Sequence, residues 1–389
     1  MENSKKLFEE NFPSISQEDY RKASLLAGKL RSIIAHRGKL IAERETSNPG
    51  TVDPNFIWDL IQLMAYCFNP TYEVVNTWRL HTYLFPGNSL LPYTIAHHNV
   101  VPKKLLKAYK KKTAGLPDKY IYRPPRIMAE CGWVINGGIV NDDTLMYQKH
   151  ISALYFEGVL DRLATLEEPK ILEIGSGYGA LAYKLKELLP NARYYMIDLA
   201  ESLFFSSIYL QVTMPQYVDE KSIYDGRDKS VLDPKGSRFT FVPNFLAQDL
   251  VNVTKFDLII NTGSFGEMTR NQVDEYAGII GSTIAEKGLL YEENHDTVYD
   301  DLAYVEKGVK VLTSIKSILS KYLTCYSIDG RKKLWYANKK AIEAVAPYRD
   351  AIFRQDRSAS AKRAIANNLK KTALKSPTVK AAIKSIIGR

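Results

Sequence analysis

Residues 170–198 read KILEIGSGYGALAYKLKELLPNARYYMID and predict a strand, a glycine turn, a helix and a second strand. The first strand is indicated by the apolar positions Ile171, Leu172 and Ile174, whose composition is typical of a buried parallel strand. Behind the glycines, leucines recur at helical spacing at positions 181, 185, 188 and 189. The segment is therefore predicted to form one βαβ unit, the arrangement that connects two parallel strands.

The glycine turn is suited to holding a ligand. Its glycines let the backbone turn sharply and approach a ligand without an intervening Cβ atom, and the following helix directs free N–H groups to the same place. Asp198 ends the second strand, where a carboxylate can accept hydrogen bonds from both hydroxyls of a ribose. We therefore predict a cofactor site formed by Glu173, Gly175, Ser176, Gly177, Tyr178, Gly179 and Asp198.

Two kinds of cofactor fit this turn. Gly175, Gly177 and Ala180 satisfy the G-x-G-x-x-G/A pattern, which permits a nicotinamide or a flavin. Glu173, however, lies two residues before the first glycine, where a dinucleotide-binding strand usually has an apolar side chain. The pattern E-x-G-x-G-x-G resembles the first motif of class I S-adenosylmethionine-dependent methyltransferases. That resemblance implies that the turn receives the methionine part of S-adenosylmethionine and that Asp198 holds its ribose; a tight turn without a ligand is the remaining alternative.

The later sequence continues as alternating helices and strands. Strands are predicted at 238–244, 256–261 and 288–296, and a long helix at 302–319. Two further apolar segments, YLTCYSI and KKLWYAN, are joined by Asp329-Gly330 and predict an antiparallel hairpin. The fold class is thus predicted to be α/β, with a Rossmann-like seven-stranded methyltransferase sheet whose last strand is antiparallel. In the resembled class, Asn244 after the third strand would contact the adenine, and Asn261 would also contact the cofactor.

The segment after the fourth strand indicates which kind of substrate accepts the methyl group. Nucleic-acid amino-methyltransferases typically have N-P-P-Y or D-P-P-Y there, whereas this chain has NTGSFGEM at 261–268. The pattern N-x-x-S-x-x-E-M, over residues 135–340, resembles a family of sugar O-methyltransferases from bacterial glycan and antibiotic gene contexts. The resemblance implies a sugar or glycan acceptor, either nucleotide-linked or lipid-linked, and no nucleic acid.

Transfer of a methyl group to a weakly acidic hydroxyl needs a positioned base. Ligands of open α/β sheets bind outside the carboxyl ends of the strands, so we expect Ser264, Glu293 and Asn294 to contact the acceptor. His295 is the predicted base and Glu267 the competing one. The prediction is metal-independent; the alternative is a divalent cation held by Glu292 or Glu293 with Asp296. A non-catalytic scaffold of the same fold is the second class of function.

Composition and charge bound the organisation of the 389-residue chain. Hydrophobic residues make up 45% and charged residues 25%, which is ordinary for a globular protein. The three cysteines are isolated, so neither a disulfide framework nor a cysteine zinc site is indicated. The N-terminus has no apolar signal region and no apolar run reaches about 18 residues, so a cytoplasmic location is predicted. The predicted units are a helical region at 1–134, the methyltransferase domain at 135–340 and a tail at 341–389.

Basic residues lie in two blocks. The tail carries most of the net charge of +10, and residues 376–388 have an apolar stripe at helical spacing. Such a basic amphipathic helix fits either the inner face of an anionic membrane or docking on the protein body or a second subunit. The second block, residues 103–126, could bind phosphates or be a solvated helix face. The oligomeric state is not predicted.

Overall fold

A computed structural model describes residues 13–42, 65–84, 101–233, 236, 238–299, 312–329 and 331–354. The predicted tail helix at 376–388 and the first part of the predicted helix at 302–319 lie outside these ranges. In chain order, the described strands are β1 (Trp133–Ile135), β2 (Gly138–Val140), β3 (Lys170–Ile174), β4 (Arg193–Asp198), β5 (Phe239–Pro243), β6 (Phe256–Thr262), β7 (Ile284–Glu293), β8 (Thr297–Tyr299), β9 (Leu312–Ser314), β10 (Thr324–Asp329) and β11 (Lys332–Tyr336).

Seven of these strands form one sheet in the order β10-β11-β7-β6-β3-β4-β5. Strands β3 to β7 pair in parallel with one another, whereas β11 is antiparallel to both β7 and β10. This strand order confirms the predicted Rossmann-like methyltransferase sheet, and the antiparallel β11 distinguishes it from a dinucleotide domain, which normally stays parallel. From β3 the chain adds β4 and β5 on one side, and it then continues with β6 and β7 on the other side of β3. The topological switch point of the sheet therefore lies at β3.

Helices cover both faces of the sheet. They are α1 (Gln17–Ala35), α2 (Arg37–Ala42), α3 (Tyr72–Asn76), α4 (Trp78–Leu84), α5 (Lys103–Thr113), α6 (Asp142–Phe156), α7 (Val159–Leu163), α8 (Ala180–Leu188), α9 (Leu203–Thr213), α10 (Arg270–Thr283), α11 (Ile315–Leu319) and α12 (340–354). Within the described ranges, none of the helices has the combination of length and apolar composition that crossing a bilayer requires.

The predicted helix at 302–319 is wrong over residues 312–314. These residues form β9, which pairs with β8, and the helix begins only at Ile315. The reason is local, because the side chain of Ser314 accepts a hydrogen bond from the Ser317 backbone N–H and caps a new helix at that point.

The N-terminal helices share the core of the sheet. Helix α1 is capped by Ser16, which forms a capping box with Asp19, and the helix packs against α9. The indole Nε1 of Trp78 donates to the Phe205 carbonyl oxygen at 3.1 Å. A single cluster of buried apolar side chains runs from these helices into the strands. The division of the chain at residues 134 and 340 stays a prediction.

A buried arginine fastens the N-terminal helices to the glycine turn. The Arg79 guanidinium donates to the carboxylates of Glu130 at 2.5 Å and Asp143 at 2.7 Å. Its carbon lies 3.6 Å from the centre of the Tyr178 ring, a cation–π contact with the turn itself. The Arg79 backbone N–H donates to the carbonyl of Met128, whose backbone is left-handed.

Replacing Arg79 with methionine should destabilise the protein by about 3–5 kcal/mol, because two buried carboxylates lose their cation. The measurement is the free energy of urea unfolding. Arg21→Met is the matched control, since Arg21 forms an exposed pair with Glu18 and its loss should leave the free energy of unfolding nearly unchanged. Equal losses in the two variants would contradict the role of Arg79.

Candidate cofactor and acceptor site

A cavity of about 250 Å³ opens at the carboxyl ends of β3, β4 and β6, which is the switch point of the sheet. We call it the central cavity. Its wall contains most of the predicted cofactor residues together with side chains from α4, α6 and α10. The residues that line it are Thr82, Met146, Tyr147, Glu173, Gly175, Ser176, Gly177, Tyr178, Ile197, Asp198, Leu199, Ser202, Asn244, Thr262, Gly263, Ser264, Glu267, Met268, Gln272 and Tyr276.

Two glycines of the turn serve different purposes. A Cβ atom on Gly175 would lie only 2.2 Å from the Ser264 hydroxyl oxygen, so Gly175 allows the turn to pack on the segment after β6. Gly177 has a φ of +54°, and a Cβ atom there would meet no atom within 4 Å. The backbone at Gly177 therefore borders open space in the central cavity, where a ligand can approach it closely. Gly179 precedes α8 and is not part of the wall.

Asp198 ends β4, as predicted, and lies beside the glycine turn. Its Oδ2 accepts from the Gly177 backbone N–H at 2.9 Å, and its Oδ1 accepts from the Leu199 N–H at 2.8 Å. Burial raises the pKa of Asp198 to about 6, although these hydrogen bonds act in the opposite direction and lower it. Because each carboxylate oxygen has two lone pairs, Asp198 can accept further hydrogen bonds from a ligand.

Glu173 lies at the bottom of the central cavity and is almost fully buried. The Tyr194 hydroxyl donates to its Oε2 at 2.8 Å. Burial raises the pKa of Glu173 to about 8, and the charge of Asp198 adds to this effect. A cationic group bound in the cavity would favour the ionised form of this carboxyl.

Asn261 and Asn294 lie behind the wall of the cavity. The Asn261 amide donates to the Ile174 carbonyl at 3.0 Å and to the Ser264 hydroxyl at 2.6 Å, and its oxygen accepts from Asn294 at 2.9 Å. Asn294 also donates to Glu292 at 2.8 Å. Both amides are buried and hydrogen-bonded to protein groups, so this arrangement does not support the predicted ligand contacts of Asn261 and Asn294.

These amides instead position the turn that carries Glu267. The oxygens of Asn261 and Asn294 accept from the backbone N–H groups of Phe265 and Gly266, each at 3.2 Å. Glu267 ends this turn and faces the central cavity. Burial, together with a smaller effect of the Asp198 charge, raises the pKa of Glu267 to about 7. A carboxyl with a pKa near neutrality is suited to general-base chemistry.

The structure does not bring His295 to the central cavity. Side chains alternate at the end of β7, so the inward position of Asn294 turns His295 outward. His295 is exposed, its Nε2 accepts from Arg331 at 3.1 Å, and it borders a separate cavity of about 320 Å³. This position does not support the prediction that His295 is the base.

Glu293 also lies outside the central cavity. Its carboxylate pairs with the Lys149 ammonium at 2.5 Å and lies 3.3 Å from the His150 ring nitrogen. Burial would raise the pKa of Glu293, but His150 and Lys149 hold it at about 2. Glu292 is buried against Lys333 at 3.1 Å. Over the described ranges, no group of three or more His, Cys, Asp or Glu side chains is arranged to hold a metal ion.

Several residues of the cavity wall were not predicted from the sequence. Thr82 comes from an N-terminal helix outside the family resemblance, and no local pattern points to it. Gln272 and Tyr276 lie on one face of α10, four residues apart, and the T-x-x-Q capping box at Thr269 gave a signal for where that helix begins. Tyr147 lines the cavity, whereas its neighbour Gln148 does not and donates to the Tyr120 carbonyl at 3.1 Å.

No protein-family model and no curated protein matches this chain. Among solved structures, it is similar to the N-methyltransferase NodS of Bradyrhizobium japonicum in complex with S-adenosyl-L-homocysteine, with 16% identity and a TM-score of 0.30 over 50% of this chain and 90% of that chain. A precorrin-6y C5,15-methyltransferase of Geobacter metallireducens has 14% identity and a TM-score of 0.26 over 45% of this chain and 82% of that one. An O-methyltransferase family protein of Burkholderia thailandensis has 12% identity and a TM-score of 0.30 over 51% and 61%. The fold assignment rests on the strand order and not on these similarities.

The raised pKa of Glu173 makes stability depend on pH. The folded protein holds this proton up to about pH 8, whereas the unfolded chain releases it near the ordinary value of 4.5. Raising the pH through this window therefore costs stability, and Glu173→Gln should remove the cost. Relative to wild type, we expect the variant to gain about 1 kcal/mol or more in unfolding free energy between about pH 5 and about pH 8.

The control for this experiment is Glu286→Gln. Glu286 is exposed and pairs with Lys340 at 2.6 Å, which lowers its pKa, so the variant should show no gain with rising pH. A difference between Glu173→Gln and wild type that stays constant across the pH range would contradict the assignment.

Proposed function

We propose that this protein transfers a methyl group from S-adenosylmethionine to a hydroxyl group of a sugar acceptor. One observation carries the proposal: Glu267, a carboxyl with a pKa of about 7, faces the same cavity as the glycine turn and Asp198. A methyl donor and a general base would thus meet in one place, at the carboxyl ends of the central strands.

The wall residues fit the proposed cofactor. The open space at Gly177 lets the backbone come close to a ligand, and α8 directs its N-terminal N–H groups to the region of a methionine carboxylate. Asp198 is placed to accept from ribose hydroxyls, and Asn244 lines the same cavity, where the adenine would lie. When bound, S-adenosylmethionine supplies an electrophilic methyl group on a sulfonium.

Glu267 is assigned the proton transfer. A sugar hydroxyl is a weak acid and reacts poorly as a nucleophile unless its proton is taken up as the new bond forms. Among the described residues, no hydrogen bond or ion pair occupies the Glu267 carboxylate. Asn261 and Asn294 hold the two preceding residues of the turn by hydrogen bonds to their backbone N–H groups, and this turn presents the base to the cavity.

The acceptor class is supported by the pattern N-x-x-S-x-x-E-M at 261–268. In this chain the pattern has a physical meaning, because Asn261 and Ser264 hold the turn together while Glu267 and Met268 line the cavity. Polar groups of Ser264, Gln272 and Tyr276 on the wall suit a hydroxyl-rich acceptor. The proposal keeps the predicted cytoplasmic location and excludes nucleic acid as the acceptor.

Glu267→Gln should lower kcat by roughly 100-fold or more, because the amide cannot accept the hydroxyl proton. The assay measures release of S-adenosylhomocysteine with a panel of free sugars and sugar phosphates. In the wild type, kcat/KM should rise with pH through an inflection near 7, where Glu267 ionises. The variant should bind S-adenosylhomocysteine about as tightly as wild type.

His295→Ala is the control and should keep near-wild-type turnover, since His295 lies outside the central cavity. Full activity of Glu267→Gln together with loss of activity in His295→Ala would overturn the assignment of the base. Release of S-adenosylhomocysteine with none of the hydroxylated acceptors would contradict the proposed substrate class.

A further inference from the structure

Thr82 brings a buried hydroxyl from the N-terminal region into the wall of the central cavity. It lies on α4, outside residues 135–340, over which the chain resembles a methyltransferase family. The residue is almost fully buried, and it lines the cavity together with Gly177 and Tyr178 of the glycine turn. The hydrogen bonds of this hydroxyl therefore indicate what it can bind.

The bond between Thr82 and Arg79 determines how the Thr82 hydroxyl can act. The Arg79 guanidinium donates to the Thr82 Oγ1 at 2.5 Å. Because a guanidinium only donates, the Thr82 oxygen is the acceptor in this bond and its own hydrogen is directed to another group. Arg79 is held in turn by the carboxylates of Glu130 and Asp143 and by the Tyr178 ring. The Thr82 hydroxyl is thus a positioned hydrogen-bond donor.

The hydrogen of the Thr82 hydroxyl has no acceptor within the part of the chain that the structure describes. Threonines at the ends of other helices differ in this respect, because their hydroxyls donate to the carbonyl four residues earlier. These are Thr77, Thr113, Thr213 and Thr283. In the cavity wall, the Ser176 hydroxyl donates to Asp198 at 3.4 Å, and the Ser264 hydroxyl donates to the Ile174 carbonyl at 3.2 Å. The Thr82 hydroxyl therefore remains available to a ligand.

The charges of the wall indicate which ligand group this donor can serve. Among the described residues, no lysine, arginine or histidine lines the cavity. The wall carries three carboxyls, those of Glu173, Asp198 and Glu267. Behind the wall, the charge of Arg79 is compensated by Glu130 and Asp143. An anionic group of a ligand must therefore be held by neutral donors, and the Thr82 hydroxyl is one of them.

Thr82 lies at the end of the cavity where the glycine turn leads into α8. Tyr178 contacts the Arg79 guanidinium and precedes Gly179, the N-cap of α8. The first N–H groups of α8 and the Thr82 hydroxyl can therefore approach one anionic group from two different elements. The methionine part of S-adenosylmethionine carries such a group, its carboxylate.

We propose that Thr82 donates a hydrogen bond to the methionine carboxylate of S-adenosylmethionine, so that α4 of the N-terminal region completes the cofactor site. The inference rests on the proposed function, which supplies the cofactor. Arg79 is a positioning residue in this arrangement. It holds the Thr82 oxygen in place, and by donating to that oxygen it polarises the hydroxyl and strengthens it as a donor.

The test is isothermal titration calorimetry of the full chain with S-adenosylhomocysteine and with its decarboxylated analogue, which lacks only the carboxylate. Wild type should bind S-adenosylhomocysteine more tightly than the analogue. Thr82→Val should lower this preference by roughly tenfold, because a hydrogen bond to a charged group is lost. Thr82→Ala should show the same loss, whereas Thr82→Ser keeps the hydroxyl and should retain the wild-type preference.

Thr283→Val is the matched control, because Thr283 is fully buried at the end of α10 and its hydroxyl donates to the Ile279 carbonyl at 2.7 Å, away from the cavity wall. It should keep the wild-type preference. The preference is compared within each variant, since a partly unfolded variant would bind both ligands less well. A wild-type preference in Thr82→Val and Thr82→Ala, or wild type without any preference, would overturn the inference. Failure of the proposed function has a different signature, namely wild type that binds neither ligand.

Discussion

The side-chain amide of Asn261 joins the carboxyl ends of three neighbouring strands. It belongs to β6, donates to the last carbonyl of β3 and accepts from Asn294, which follows β7. The amide is fully buried, and each of its atoms left unpaired would cost about 1–3 kcal/mol. Hydrogen bonds from this amide and from Asn294 hold the turn from Ser264 to Glu267. The two amides that connect the carboxyl ends of β3, β6 and β7 therefore also set the position of the candidate base.

The carboxyl groups that line the central cavity favour a cationic ligand. Glu173, Asp198 and Glu267 all line it, and burial raises the pKa of each of them. The charge of Asp198 raises the pKa of both glutamates as well, so the three carboxyls resist ionising together. A ligand that carries a sulfonium and an ammonium would relieve this conflict and favour their charged forms. A nicotinamide dinucleotide, with its two phosphates, would be opposed by the same carboxyls.

Sequence patterns predicted those elements whose structure depends mainly on neighbouring residues in the chain. The βαβ unit with its glycine turn, the later strands and the closing hairpin follow from periodicity and turn residues alone. Local patterns could not decide whether His295 or Glu267 is the base, because that depends on which residues after β7 face the central cavity. The contact between Arg79 and Tyr178 was likewise invisible, since it joins residues that are far apart in the sequence. Strand β9 was missed because its pairing with β8 outweighed a helical pattern.

We expect the cavity at the switch point to hold S-adenosylmethionine. The most direct measurement is calorimetric titration of the full chain with S-adenosylhomocysteine and, separately, with NADH, together with Asp198→Ala as the binding-site variant. S-adenosylhomocysteine should bind wild type at one site and bind Asp198→Ala roughly tenfold or more weakly, because hydrogen bonds to a charged group are lost, and NADH should not bind. Binding of NADH together with no binding of S-adenosylhomocysteine would contradict the account.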